Sequence, residues 1–329
     1  MENKKYIYLD WNIIQYMKHS SKIEKKDING KEFENLINKL SKKYIFPWSE
    51  GHLQDLLISL NPNNLEYIKE DLIFLKKISN NFALGIDEYE NLRTQKNYID
   101  IQVFFDELRN KNEIEEKQEL VVNVEGSDTF QIDMNKLKNN SLLKPFLQKT
   151  NGVLNNQVMH DFTFQLYENM DNPNFYKLLR NEVQNLKNQF EATPNSVLSQ
   201  ESNYFNELKP FLDFLITDNI ETIKDNFNKI MISYLNVDKK RRFEELTIGS
   251  KIELAYSILD FNQNFRDKIN KKNRPSNMYR DIKNLFFASQ AKYYITEDDK
   301  TYKKSKFVCD VLGLKVKVLK MNEFINKFR

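Results

Sequence analysis

Four short runs rich in β-branched and aromatic residues punctuate a chain otherwise dominated by helical apolar stripes. They are Tyr6-Ile7-Tyr8-Leu9, Tyr44-Ile45-Phe46, Tyr293-Tyr294-Ile295-Thr296 and Val316-Lys317-Val318-Leu319. Phe33, Leu36, Ile37 and Leu40 recur at helical spacing between the first two. Short strands alternating with helices predict a parallel, doubly wound α/β sheet. From residue 61 to 245 the pattern changes to helical stripes such as Ile68, Leu72 and Leu75. Others are Leu208, Phe211, Leu212 and Leu215, and then Phe227, Ile230, Met231 and Tyr234. A hairpin is expected where Leu120–Val124 and Thr129–Ile132 flank Glu125-Gly126-Ser127-Asp128. The predicted organisation is a discontinuous α/β domain over 1–60 and 246–329, with a large, mostly helical insertion over 61–245.

Composition sharpens this picture in three places. Gly and Pro number seven each, too few for a many-stranded β fold. Cys309 stands alone, so no internal disulfide forms and a reducing compartment is expected; its apolar neighbours make it a buried small residue. Met1 to Lys5 is charged and the apolar run after it stops at Asp10, which fits no signal peptide, and no run is long enough to cross a membrane. A soluble, cytoplasmic protein is expected. The balance of 50 basic against 47 acidic residues singles out no nucleic-acid partner, so any electrostatic footprint must be local.

The candidate chemistry lies after the strands. In open parallel sheets, ligands bind at the carboxyl ends of the strands. Asp10-Trp11-Asn12 follows the first strand, Trp48-Ser49-Glu50-Gly51-His52 the second and Glu297-Asp298-Asp299 the third. Asp281 opens the helical stretch leading into the third strand. Each acid alone is also a plausible helix cap or turn residue; their joint placement is the informative feature. Carboxylates converging on one edge call for a hard divalent cation, Mg²⁺ or Mn²⁺, which can activate a water and shield a phosphodiester. Three scattered histidines, His19, His52 and His160, argue against zinc.

These residues resemble the PIN-like domain family. The opening Tyr-Ile-Tyr-Leu-Asp10-Trp-Asn12 is similar to that family's first strand, and Asp281 through Ala291 to Thr296-Glu297-Asp298 to its closing half. Leu312 to Leu319 with Asn322-Glu323-Phe324-Ile325 looks like its last strand and helix. Phe46-Pro47-Trp48-Ser49 with His52 and Asp55 resembles a subgroup of large prokaryotic members. The resemblance implies a PIN-like parallel sheet flanked by helices and a metal-dependent nuclease, usually acting on RNA. It implies Asp10, Glu50, Asp281 and Asp298 as the catalytic and metal-binding acids, with Asp299 as a substitute for Asp298. The resemblance also extends to a toxin-like or antiviral role. The long insertion departs from the compact family pattern.

Supporting roles fall to neighbours. Asn12 is placed to orient Asp10, while the hydroxyls of Ser49 and Thr296 adjoin the acids. His52 and Asp55, three apart on a helix, both face the site in this reading, His52 as a phosphate holder or proton donor. Lys268, Lys271, Lys272, Arg274 and Arg280 run into Asp281 and offer a path for a phosphate backbone, although a solvated helix face also explains them. The expected activity is RNA hydrolysis, with the insertion covering the site or docking a protein partner. The alternatives are a structure-specific DNA nuclease and a silent PIN-like scaffold binding protein or RNA. An Asp-x-Asp phosphatase is disfavoured because Asn12 occupies the second position.

Overall fold

The structure, a computed structural model, describes residues 5–20, 29–115, 130–131, 133–135, 137, 139, 141–191, 202–236, 242–271 and 273–329. The chain forms an α/β protein, mostly helical, divided into two compact units. The first comprises Met1–Lys117, Glu245–Tyr256 and Tyr279–Arg329; the second comprises Gln118–Glu244 and Ser257–Met278. These bounds differ from the expected 60 and 246. Residues 61–117 join the first unit because Ile68, Leu72, Leu75, Ile101, Phe105 and Leu108 are buried in the same core as Ile7 and Leu9. Among the described residues, no helix is long and apolar enough to cross a membrane.

In the first unit, strand β1 (Ile7–Leu9) is buried along its whole length, as expected of a parallel strand covered on both faces. It pairs in parallel with β7 (Tyr293–Ile295), which pairs in parallel with β8 (Lys317–Leu319). On its other side β1 makes a single parallel bridge, Tyr6 with Ile45. The expected strand over 44–46 is only this bridge. Pro47, which has no N–H to donate, interrupts the run, and the regular strand β2 is Trp48–Ser49. β2 pairs in parallel with β3 (Phe82–Ile86), whose antiparallel partner is β4 (Leu92–Lys96). The sequence pattern missed this β3–β4 pair: Ala83, Gly85 and Gln95 carry no strand signature, and β4 is largely exposed.

Helices cover the strands. Among them are α1 (Trp11–Lys18), α2 (Gly30–Leu40), α3 (Glu50–Ser59), α4 (Leu65–Ile78) and α5 (Ile101–Glu115). Gly30 is needed where α2 starts against the end of α1, because a Cβ there would lie 2.1 Å from the Tyr16 carbonyl oxygen. β1 has neighbours on both sides. After it the chain crosses to Ile45 on one flank, while β7 and β8 continue on the other. This is a topological switch point, with the ends of β1 and β7 side by side.

The second unit holds β5 (Phe130–Gln131), α6 (Lys144–Gln148), β6 (Val153–Leu154), α7 (Asn156–Asn169), α8 (Pro173–Glu191), α9 (Ser202–Ile216) and α10 (Ile220–Leu235). Residues 120–129 and 132 of the expected hairpin lie outside the described residues; Phe130 and Gln131 pair with Leu154 and Val153. α9 buries Leu208, Phe211, Leu212 and Leu215, and α10 buries Phe227, Ile230 and Met231 but leaves Tyr234 of the predicted stripe exposed; the Phe214 and Phe227 rings lie 6.1 Å apart. The remaining helices are α11 (Ile248–Leu259), α12 (Pro275–Ala288), α13 (Asp299–Val311) and α14 (Met321–Phe328).

Candidate functional site

Asp10 leaves the end of β1, its N–H bonded to the Ile295 carbonyl at 2.9 Å, and caps α1. Oδ1 accepts from the Trp11 N–H at 2.8 Å. Oδ2 accepts from Asn12 Nδ2 at 2.8 Å and from the Thr296 hydroxyl at 2.5 Å. Asn12 also receives the Glu297 N–H at 3.2 Å, so one side chain ties the ends of β1 and β7 together. Burial pushes the Asp10 carboxyl up to about 7; the Asp55 carboxylate adds to this, and Asp298 adds further, against the lowering by its hydrogen bonds. The expected support from Asn12 and Thr296 is therefore present as direct contacts.

Asp298 caps α13, its Oδ1 accepting from the N–H groups of Lys300 and Thr301. Asp10 and Asp298 are thus helix caps and members of the acidic edge at once. Asp299 is almost fully exposed and ion-paired with Lys320 at 3.0 Å, so of the two it is Asp298 whose charge acts on Asp10. Asp281 does not begin its helix, as the sequence pattern had it. It lies inside α12, six residues after Pro275, with Oδ2 3.5 Å from the Tyr256 hydroxyl.

The second-strand acids change rank. Glu50 accepts from Lys283 Nζ at 2.5 Å and from Gln54 at 2.9 Å. Asp55, read from sequence as a support, is the carboxylate that acts most strongly on Asp10. Its own carboxyl is raised by burial against the lowering effect of Arg280, which donates to Oδ1 at 2.7 Å; Asn284 donates to Oδ2 at 3.2 Å. Position along α3 decides this exchange: Glu50 is its first residue and 28% exposed, while Asp55, more than a turn further on, is only 10% exposed.

His52 is fully buried, which corrects its reading as a phosphate holder or proton donor. Its Nδ1 accepts the Ser49 N–H at 3.0 Å, so Nε2 carries the proton and donates to the Leu9 carbonyl at 2.6 Å. Burial lowers its pKa to about 4, leaving it neutral and committed to holding β1 against α3. Ser49 is likewise enclosed, its hydroxyl 2.6 Å from that of Tyr8, which donates to Asn284 at 2.8 Å. Gly51 permits this packing, since a Cβ there would stand 2.4 Å from the Asn284 oxygen.

The proposed basic path is divided. Lys268, Lys271 and Arg274 belong to the second unit, where Arg274 pairs with Asp171 at 3.3 Å. Lys272 lies outside the described residues. Arg280 belongs to the first unit, where it pairs with Asp55.

Two residues beneath the edge carried no sequence signal strong enough to find them. Tyr294, in register with Tyr8, is buried, and its hydroxyl has no hydrogen-bond partner among the described residues. Burial and then the Asp10 and Asp281 charges raise its pKa well above the usual value. Lys304 of α13 is also enclosed, its ammonium 5.2 Å from the Tyr256 ring centre. Polar-tipped tyrosines in strands buried on both faces were the available hint.

No family model, curated protein or solved structure matches this chain.

The carboxylate chemistry fits a hard divalent ion, because Asp10 is buried among like charges and lacks a basic partner of its own in the hydrogen bonds above. Among the described residues, no three acidic, histidine or cysteine side chains are grouped to hold one ion.

Proposed function

We propose that this chain is a divalent-metal-dependent ribonuclease with a PIN-like fold. The supporting observation is the buried Asp10 carboxylate at the switch point of the sheet, raised to about 7 with Asp55 and Asp298 acting on it. Asp10, with Asp298 or Asp55 as a second carboxylate, would hold Mg²⁺ or Mn²⁺, the rest of the shell being water and substrate phosphate. When bound, such an ion supplies charge neutralisation, polarisation of a phosphodiester and activation of a water.

The protein's own part is positioning. Thr296 and Asn12 hold Oδ2 of Asp10, and the Trp11 N–H holds Oδ1, so the carboxylate cannot rotate away from the edge. Asn284 and Arg280 fix Asp55 in the same way. A second reading, a silent scaffold that binds RNA or protein, draws on the ion pairs that occupy Glu50 and Asp55.

Incubation of labelled single-stranded RNA and DNA with Mn²⁺, Mg²⁺ or EDTA separates these readings. RNA cleavage that requires the ion and disappears in Asp10→Asn is expected. Cleavage of DNA alone would replace RNA as the substrate, and cleavage of neither by folded protein would favour the scaffold.

A further inference from the structure

α12 presents Arg280, Lys283 and Asn284 at i, i+3 and i+4, one face of a helix, and all three meet α3. Arg280 holds Asp55 at 2.7 Å and Lys283 holds Glu50 at 2.5 Å. Lys283 and Glu50 keep 30% and 28% of their surface exposed, a pair at the edge of solvent, whereas Arg280 and Asp55 keep 18% and 10% and are the more enclosed pair. A partly exposed pair such as Lys283–Glu50 exchanges partners readily, since water and salt screen it, while Arg280 leaves the more enclosed Asp55 only when another charge takes its place beside that carboxylate. A phosphodiester is a strong competitor for a guanidinium, whose planar fork matches two phosphate oxygens.

We propose that Arg280 and Lys283 form a phosphate clamp for single-stranded RNA, held at rest by Asp55 and Glu50 and handed to the strand when it enters. This rests on the ribonuclease reading for its substrate. The exchange balances charge in both states. At rest each cation neutralises a carboxylate; with RNA bound, the cations neutralise phosphates and the freed carboxylates turn to a divalent ion. RNA and the ion therefore bind with positive coupling, and each tightens the other by the same factor. The ion pairs that favour a scaffold on static inspection become a latch that keeps the acids occupied until substrate arrives.

The test uses the full chain, with Arg280→Gln and Lys283→Gln beside the surface control Lys306→Gln. Fluorescence polarisation of a labelled single-stranded RNA in EDTA, over a salt series, reads the clamp without any metal. Calorimetric titration with Mn²⁺ alone reads the carboxylates. Each clamp variant should bind RNA roughly 10-fold more weakly, with the salt slope reduced by about 1, while the control matches wild type. The same variants should bind Mn²⁺ several-fold more tightly. Opposite shifts are the signature, because a tie needed only for folding would weaken both.

RNA affinity and slope unchanged in both variants would overturn the clamp, as would both affinities falling together or wild type binding no RNA in EDTA. Cleavage by wild type with cation-independent RNA binding sinks the clamp and leaves the nuclease standing. Binding through both cations by a protein that takes no Mn²⁺ and cleaves nothing keeps the clamp and sinks the nuclease.

Discussion

Asp10 in the first unit is 5% exposed and Asp260 in the second is 1% exposed, yet their surroundings differ in kind. Around Asp260 every demand is met. Tyr176 donates to Oδ2 at 2.8 Å, Arg180 Nε donates to it at 2.9 Å, and the Asp267 N–H reaches Oδ1 at 3.2 Å. Arg180 also binds the Asp267 carbonyl at 2.7 Å, closing the network. Around Asp10 the donors are neutral, and the charges that raise its pKa are other carboxylates, Asp55 and Asp298. A buried acid with its own cation is a structural tie; a buried acid among acids is kept at a cost to the fold, which points to a ligand.

The sharpest break in this comparison is Asp10→Asn, which should abolish ion-dependent RNA cleavage, a loss beyond about 100-fold, in a protein that still folds. Retained cleavage would remove Asp10 from the chemistry. Next in size, Arg180→Met should destabilise the protein by about 3–5 kcal/mol, because it strands the buried Asp260 charge. The double change Arg180→Met with Asp260→Leu should recover most of that loss. Urea unfolding of the two variants checks it, and a double variant no better than the single would show that packing, not stranded charge, dominates.

Burial in the first unit also has a pH form, read by urea midpoints in EDTA. His52 stays neutral to about 4, whereas an unfolded histidine protonates near 6.5, so its contribution is lost as pH falls through that window, by at most about 3 kcal/mol. Asp10 stays protonated to about 7, against 3.8 for the ordinary group, so its contribution is lost as pH rises. The slopes oppose each other in wild type between roughly 4 and 6.5. Asp10→Asn deletes one of them, and this variant should lose stability from pH 7 to pH 5 more steeply than wild type; equal slopes would contradict the burial argument. The smallest effect expected is Thr296→Val, which removes one hydrogen bond from Asp10 and should weaken Mn²⁺ binding about 10–100-fold. Calorimetry measures it, and unchanged affinity would mean that Asn12 alone holds the carboxylate.

Legibility followed the range of the forces involved. Asp10 and Asp298 could be read from sequence because each lies within three residues of a strand end and caps the next helix, a local arrangement. Asp55 was ranked below Glu50 because proximity to a strand end says nothing about how deeply a helix residue is buried. His52 looked reactive beside Ser49 and Glu50, yet its partners are Ser49 and the distant Leu9 carbonyl, which makes it a brace. The β3–β4 pair escaped notice because its residues carry little strand propensity of their own and are held by pairing.

By itself the sequence determined the α/β character, the strands at both ends of the chain, the helical stripes between them and acids placed where strands end. These follow from periodicity and capping, which act over a few residues. Tertiary structure decided that residues 61–117 complete the first unit's core, that Arg280 and Lys283 hold Asp55 and Glu50, and that Tyr294 and Lys304 lie under the acidic edge. Those outcomes depend on contacts between residues more than two hundred positions apart in several cases. Burial and charge sum over whatever the fold brings near, and no local pattern encodes that sum.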